Sequence, residues 1–162
     1  MKVIFLDIDG VLNCQWSRSR CGAYIGIDED KVMRLRMIVE ATGAQIVLSS
    51  SWRDDWSTDE ECKHECGRYI DRMLRNERLS IIDKTPTDIH DRRRLEIEHW
   101  MEGKDIEAYV ILDDLDFDWA YSDCVNHWVE TSFTRRDGGL QAEHVAKAIE
   151  ILNASNKVQA EN

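Results

Sequence analysis

The chain has 162 residues, 43% of them hydrophobic, with six tryptophans and a formal net charge of −11. That length and apolar share suit one domain with a sizeable core and exclude a disordered chain. The acidic balance disfavours a broad nucleic-acid groove, which needs Lys and Arg against phosphates, and the five cysteines, odd in number and irregular in spacing, read as reduced thiols of a cytoplasmic protein.

The first apolar run, Val3 to Leu6, is short and lacks polar alternation, so it reads as a strand buried on both faces. It ends on Asp7-Ile8-Asp9-Gly10-Val11. Two carboxylates there cannot be unpaired core groups, and ligands of an open α/β sheet gather at this end of its strands. The same acids interrupt the only apolar segment of the N-terminal region, so it is not a signal peptide, and no apolar run is long enough to span a bilayer. Asp28 is placed to cap a helix reaching about Thr42, with Val32, Leu35, Ile38 and Val39 at helical spacing and Gly43 to end it.

Gln45 to Leu48 is a second buried strand and runs into Ser49-Ser50-Ser51-Trp52-Arg53. Ser57-Thr58-Asp59-Glu60 has the form of a capping box, which predicts a helix from there to about Arg75. Such a helix would set Cys62 and Cys66 on one face, either as half of a zinc site completed by Cys14 and Cys21 or as small, partly buried helix residues. Leu79 to Ile82 is ambiguous. A helix from about Asp91 to Glu102 follows, then a third buried strand, Ala108 to Leu112, closed by Asp113-Asp114. His127 to Glu130 is a last strand, Gly138-Gly139 a turn, and Ala142 to Leu152 an amphipathic closing helix. Buried strands alternating with helices imply an α/β domain with three α/β/α layers and a parallel sheet. It would span residues 1–153, with a small helical insertion at about 54–84 and a flexible tail over 154–162.

Three strands thus end in polar groups, and alignment in one sheet would bring Asp7 with Asp9, the Ser49 to Ser51 run, and Asp113 with Asp114 onto one rim. Asp7-Ile8-Asp9-Gly10-Val11 resembles the first motif of the haloacid dehalogenase (HAD) superfamily, and the set follows that superfamily's motif order. Val47 to Arg53, Arg93 to Met101, Val110 to Phe117, Gly139-Leu140 and Val145-Ala146-Lys147-Ala148-Ile149 narrow the resemblance. Together they look like the small HAD branch named for the HAD domains of Swiss Army knife RNA repair proteins. Arg94 departs from the usual glycine, and Gln141 from the usual helix-capping threonine.

The resemblance implies a Rossmann-like HAD fold and a Mg²⁺-dependent phosphatase acting through an aspartyl-phosphate. Asp7 would be the nucleophile, and Asp9 the general acid and base. Asp7, the Asp9 carbonyl and Asp114 would hold Mg²⁺, with Asp113 sharing the metal or orienting the cation. Ser50, or Ser49 as the alternative, would hold phosphoryl oxygens with Arg53 and Arg93, Lys84 being the runner-up cation.

The segment Asp54 to Lys84 is too short for a full cap domain, so minimal or no cap is expected. Arg18, Arg20, Arg53 and Arg93 would form a positive rim around the open site. Trp16, Trp52 and Trp56 would lie near it, to stack on a base or to pack in the core. The expected substrate is phosphorylated, such as a nucleotide or a nucleic-acid 3′-phosphate end. A general small-molecule phosphatase or phosphotransferase and a non-catalytic HAD-scaffold binding protein are the alternatives. None of the key acids is missing, which argues against the second, and Asp9 with Asp114 argues against a metal-free dehalogenase.

Overall fold

The computed structural model describes residues 1–87 and 92–160, with backbone alone for 155–160. The strands are β1 (Lys2–Leu6), β2 (Arg20–Cys21), β3 (Tyr24–Ile25), β4 (Gln45–Leu48), β5 (Ile81–Lys84), β6 (Ala108–Asp113) and β7 (Trp128–Glu130). The helices are α1 (Glu29–Thr42), α2 (Glu65–Asn76), α3 (Arg93–Met101), α4 (Cys124–His127) and α5 (Ala142–Ala160). Among the described residues, five parallel strands form the central sheet in the order β5-β4-β1-β6-β7, and β2 and β3 form a small antiparallel hairpin.

Strand side chains alternate faces. Ile4, Leu6, Ile46, Leu48, Val110 and Leu112 meet Val32, Leu35 and Ile38 of α1, Ile70 and Leu74 of α2, and Val145, Ala148 and Leu152 of α5. Val3, Phe5, Val47 and Ile111 point the other way, onto Ile97 and Trp100 of α3, Trp119, and Cys124 of α4. Runs that are apolar at every position are therefore what a sheet covered on both sides requires, and the architecture is a three-layer, Rossmann-like α/β/α arrangement, as expected from the sequence. Among the described residues no helix is long and apolar enough to cross a membrane.

Several elements follow the sequence closely. Asp28 occupies the N-cap of α1, although its carboxylate accepts from Ser17 and Ser19 and pairs with Lys31 instead of capping the helix. Gly43 ends α1 at φ +68°, its N–H donating to the Val39 carbonyl. The ambiguous Leu79 to Ile82 segment runs into edge strand β5, which covers Ile81–Lys84. The expected start of α3 at Asp91 lies outside the described residues; among those described, the helix begins at Arg93. Helix α5 continues to Ala160, through most of the segment expected as a tail, because no Gly or Pro follows Leu152 to stop it.

The second helix departs from expectation. The capping-box residues build a 3₁₀ turn, Glu60–Cys62, in which Asp59 accepts from the Glu61 N–H. Helix α2 starts only at Glu65, where the His64 N–H donates to the Asp55 carbonyl at 2.9 Å. Gly67 then packs so tightly on that carbonyl that a Cβ would lie 2.1 Å from the Asp55 oxygen. Docking onto the preceding 3₁₀ turn, Ser51–Asp55, decides where α2 begins. Cys62 consequently lies outside the helix, exposed and bonded to Asp59, and shares no helix face with Cys66. Cys66 instead meets Cys21, with the two free thiols 3.5 Å apart.

Candidate active site

Backbone ladder bonds carry the sheet's alignment one residue beyond its strands. Asp7 N–H donates to Leu112 at 3.0 Å, Ser49 N–H to Leu6 at 2.9 Å, and Thr131 N–H to Asp113 at 3.1 Å. Leu6 is level with Leu48 on one side and Leu112 on the other, so Asp7, Ser49 and Asp113 are level too. Alternation places these three on the face of Phe5, Val47 and Ile111, which α3 covers. Arg93, at the start of α3, is thereby delivered onto the aspartates.

Its guanidinium donates to Asp113 Oδ2 at 2.5 Å and lies 3.2 Å from Asp7 Oδ2. Phe117 lies beneath the guanidinium, 4.4 Å from its carbon to the ring centroid. The other Asp113 oxygen accepts from the Leu115 N–H at 3.0 Å. One carboxylate oxygen from each of Asp7, Asp113 and Asp114 falls within a 4.8 Å cluster. Asp114 approaches over Gly10, where a Cβ would come 2.4 Å from its carboxyl carbon. Gly10 also turns at φ +81°, so both the turn and the close approach require glycine there.

Asp9 is held separately. Asn13 Nδ2 donates to one oxygen and Trp52 Nε1 to the other, each at 2.9 Å. Asn13 is fully buried, donates also to the Gly26 carbonyl, and accepts from the Gly10 N–H. Ser50 places its hydroxyl on Asp7 and accepts from the Trp52 N–H at 3.3 Å. The Ser49 hydroxyl is buried without a hydrogen-bond partner among the described residues.

Burial pushes the Asp7 carboxyl above its ordinary range, with Arg93 opposing the shift. Burial, reinforced by the charge of Asp7, pushes Asp113 up to about 7 and Asp114 up to about 6. Burial pulls Arg93 down, but Asp7 and Asp113 outweigh it and hold the guanidinium above its usual value. One buried cation therefore serves a cluster with an excess of carboxylates. A hard divalent cation placed among oxygens would supply the missing charge, and the donor set fits Mg²⁺.

Other expected residues sit elsewhere. Arg53 is buried and donates to Glu96 at 2.9 Å, to the Ser49 carbonyl and to Thr85 Oγ1, so its guanidinium is engaged as a strut beneath the rim. The Lys84 ammonium donates to the carbonyls of Arg53 and Trp56, which leaves Arg93 as the cation that reaches the aspartates. Of the other arginines expected at the rim, Arg18 and Arg20 are exposed, and Arg20 bonds the Ser17 and Ser19 carbonyls. Trp56 is core, bonded to Asp71, and Trp16 bonds the Thr134 carbonyl, whereas Trp52 is at the site. The sequence alone assigns no role to Asn13 or Phe117. The available signal for Asn13 was a polar residue four positions after Asp9, closing the apolar pair Val11-Leu12.

A parallel sheet with aspartates closing β1 and the adjacent β6, and an arginine brought over them by α3, defines an α/β protein of HAD type. The chain belongs to the family described as the HAD domain in Swiss Army Knife RNA repair proteins, whose model matches residues 3–145. Comparison with curated proteins and with solved structures finds no match.

Proposed function

We propose that this protein is a Mg²⁺-dependent phosphomonoesterase that works through an aspartyl-phosphate on Asp7. The observation that carries the reading is the meeting of Asp7, Asp113, Asp114 and Arg93 at adjacent strand ends. Asp9 follows Asp7 by two residues, with a donor on each oxygen. A phosphate monoester is anionic and would be repelled by these acids alone. Asp7, Asp113 and Asp114 would hold Mg²⁺, which when bound offsets that repulsion and polarises a phosphoryl oxygen.

In the first half-reaction an Asp7 oxygen attacks phosphorus. The P–O bond to the ester breaks, and the departing oxygen takes the Asp9 proton. In the second, Asp9 takes a proton from water as that water attacks phosphorus. The bond to Asp7 breaks, inorganic phosphate leaves, and the Asp7 carboxylate is restored. Proton flow in the two halves is opposite, so one residue serves both. Arg93 and the Ser50 hydroxyl orient the phosphoryl oxygens, and Asp113 keeps Arg93 in place.

The family's description names RNA repair proteins, which supports a nucleic-acid end or a nucleotide as the phosphorylated substrate; a 3′-phosphate end is the form we propose. The net charge of −11 favours a nucleotide or a short end over a long duplex. The test is phosphate release from nucleoside monophosphates, a 3′-phosphorylated oligonucleotide, p-nitrophenyl phosphate and glycerol phosphate, with Mg²⁺ or with chelator. Metal-dependent turnover that vanishes in Asp7→Asn is expected. Inactivity across the whole panel with Mg²⁺, Mn²⁺ and Co²⁺ would defeat the proposal.

A further inference from the structure

We propose that the cavity against Asp9 is a nucleoside site, with Tyr24 and Trp52 holding the base and Asp9 facing the leaving oxygen. The leaving-group role rests on the phosphatase reading above; the nucleoside site itself does not. The acid that protonates a departing oxygen must face the group attached to that oxygen. The space on its open side therefore determines what kind of leaving group fits.

That space is a cavity of about 240 Å³ lined by Asp9, Tyr24, Ser51, Trp52, Asp55 and Cys66. Two of its walls are aromatic. Trp52 is fixed in place by its N–H bond to Asp9 and backed by Tyr69, with ring centroids 6.5 Å apart. Tyr24 lies across from it on the β2–β3 hairpin, centroid 6.3 Å away and tilted by 59°, so the two rings bound a wedge rather than stack on each other. Tyr24 is 65% exposed. An aromatic ring held so far into solvent beside a fixed indole is available to a planar ligand, and base–aromatic stacking tolerates any base because each has a π face.

Charge narrows the choice. The lining contains two carboxylates, Asp9 and Asp55, and no Lys, Arg or His. A second phosphate seated inside this lining would be repelled, so any further phosphodiester of an oligonucleotide end lies outside it. An aliphatic alcohol such as glycerol would leave both rings unused. An uncharged nucleoside satisfies both constraints: its ring covers Tyr24 and Trp52, and its ribose oxygen lies at Asp9. The reactive phosphate lies outside this cavity, at Asp7 and Arg93.

The experiment uses the full chain, Tyr24→Ser and Tyr24→Phe. Adenosine binding is followed by quenching of tryptophan emission, and kcat/KM is measured with Mg²⁺ for adenosine 3′-monophosphate and glycerol 2-phosphate. Tyr24→Ser is expected to weaken adenosine binding by roughly tenfold. It should lower the kcat/KM ratio of nucleotide to glycerol phosphate by the same factor, through KM. Tyr24→Phe, which keeps the ring, should restore both. Failure of adenosine to bind the wild type, or equal losses on the two esters, would overturn the proposal. Adenosine binding that is lost in Tyr24→Ser, in a protein releasing no phosphate from any ester, would support the nucleoside site and remove the phosphatase reading instead.

Discussion

Asp9 has one hydrogen-bond donor on each carboxylate oxygen, and those donors come from different parts of the chain: Asn13 in the loop after β1 and Trp52 in the turn after β4. A carboxyl group that must give and then take a proton at one atom gains from a fixed orientation. Trp52→Phe keeps a ring against Tyr69 but removes the N–H. A hydrogen bond to a charged group is worth ~1.5–3 kcal/mol, so kcat on glycerol phosphate should fall by at least roughly tenfold, with far-UV circular dichroism unchanged. A variant with wild-type kcat would show that the bond does not matter to the reaction. Asp7→Asn should behave differently. On the proposed mechanism it removes the nucleophile, and phosphate release should drop to background. Because burial already disfavours the charged form of Asp7, the amide should leave the melting temperature equal or higher. A large loss of stability would mean that Asp7 is needed chiefly to neutralise Arg93.

At the scale of elements, Arg53 shows where sequence reading stops. It follows the serine run directly, and so reads as a phosphate ligand. Its partner is Glu96, on a helix that no local pattern connects to it. The pair joins the turn after β4 to α3, with both side chains under a tenth exposed. Removing one partner of a buried pair costs about 3–5 kcal/mol. Arg53→Met should therefore shift the urea midpoint strongly while the folded fraction keeps its KM for phosphate esters. A raised KM at unchanged stability would return Arg53 to the substrate.

The same distinction explains what was legible. Strands β1, β4 and β6 and helix α1 announce themselves through contiguous or periodic apolar residues, which are local signals. The meeting of Asp7, Ser49 and Asp113 follows from strand ends alone. The start of α2 does not, because it depends on Gly67 fitting onto the Asp55 carbonyl. Nor do the bonds of Asp9, since Trp52 is far along the chain, in the turn after the neighbouring strand β4, and which atom it turns towards Asp9 has no local signal.

At the scale of the molecule, an acidic chain places its densest group of carboxylates at the rim of its own sheet. Without metal, that arrangement opposes folding in a pH-dependent way. Asp113 lies at about 7 and Asp114 at about 6, against 3.8 for an ordinary aspartate. Well below pH 4, both states hold these protons and no penalty appears. As pH rises from about 4 to about 7, the unfolded chain releases protons that the folded protein retains. Folding is then disfavoured progressively, and the full penalty is reached once the folded carboxyls ionise. On the proposed reading Mg²⁺ would bind the ionised folded form and so counteract this penalty, adding ~2.7 kcal/mol at a hundredfold excess over its dissociation constant. Urea unfolding at about pH 5 and about pH 7.5, with chelator or with Mg²⁺, tests the account. With chelator, wild type should lose more stability between the two pH values than Asp113→Asn or Asp114→Asn does. Mg²⁺ should restore the wild type at the higher pH and do little for Asp114→Asn. Equal pH dependence in all three proteins, or the same gain from Mg²⁺ in wild type and Asp114→Asn, would show that the cation is not held by this cluster.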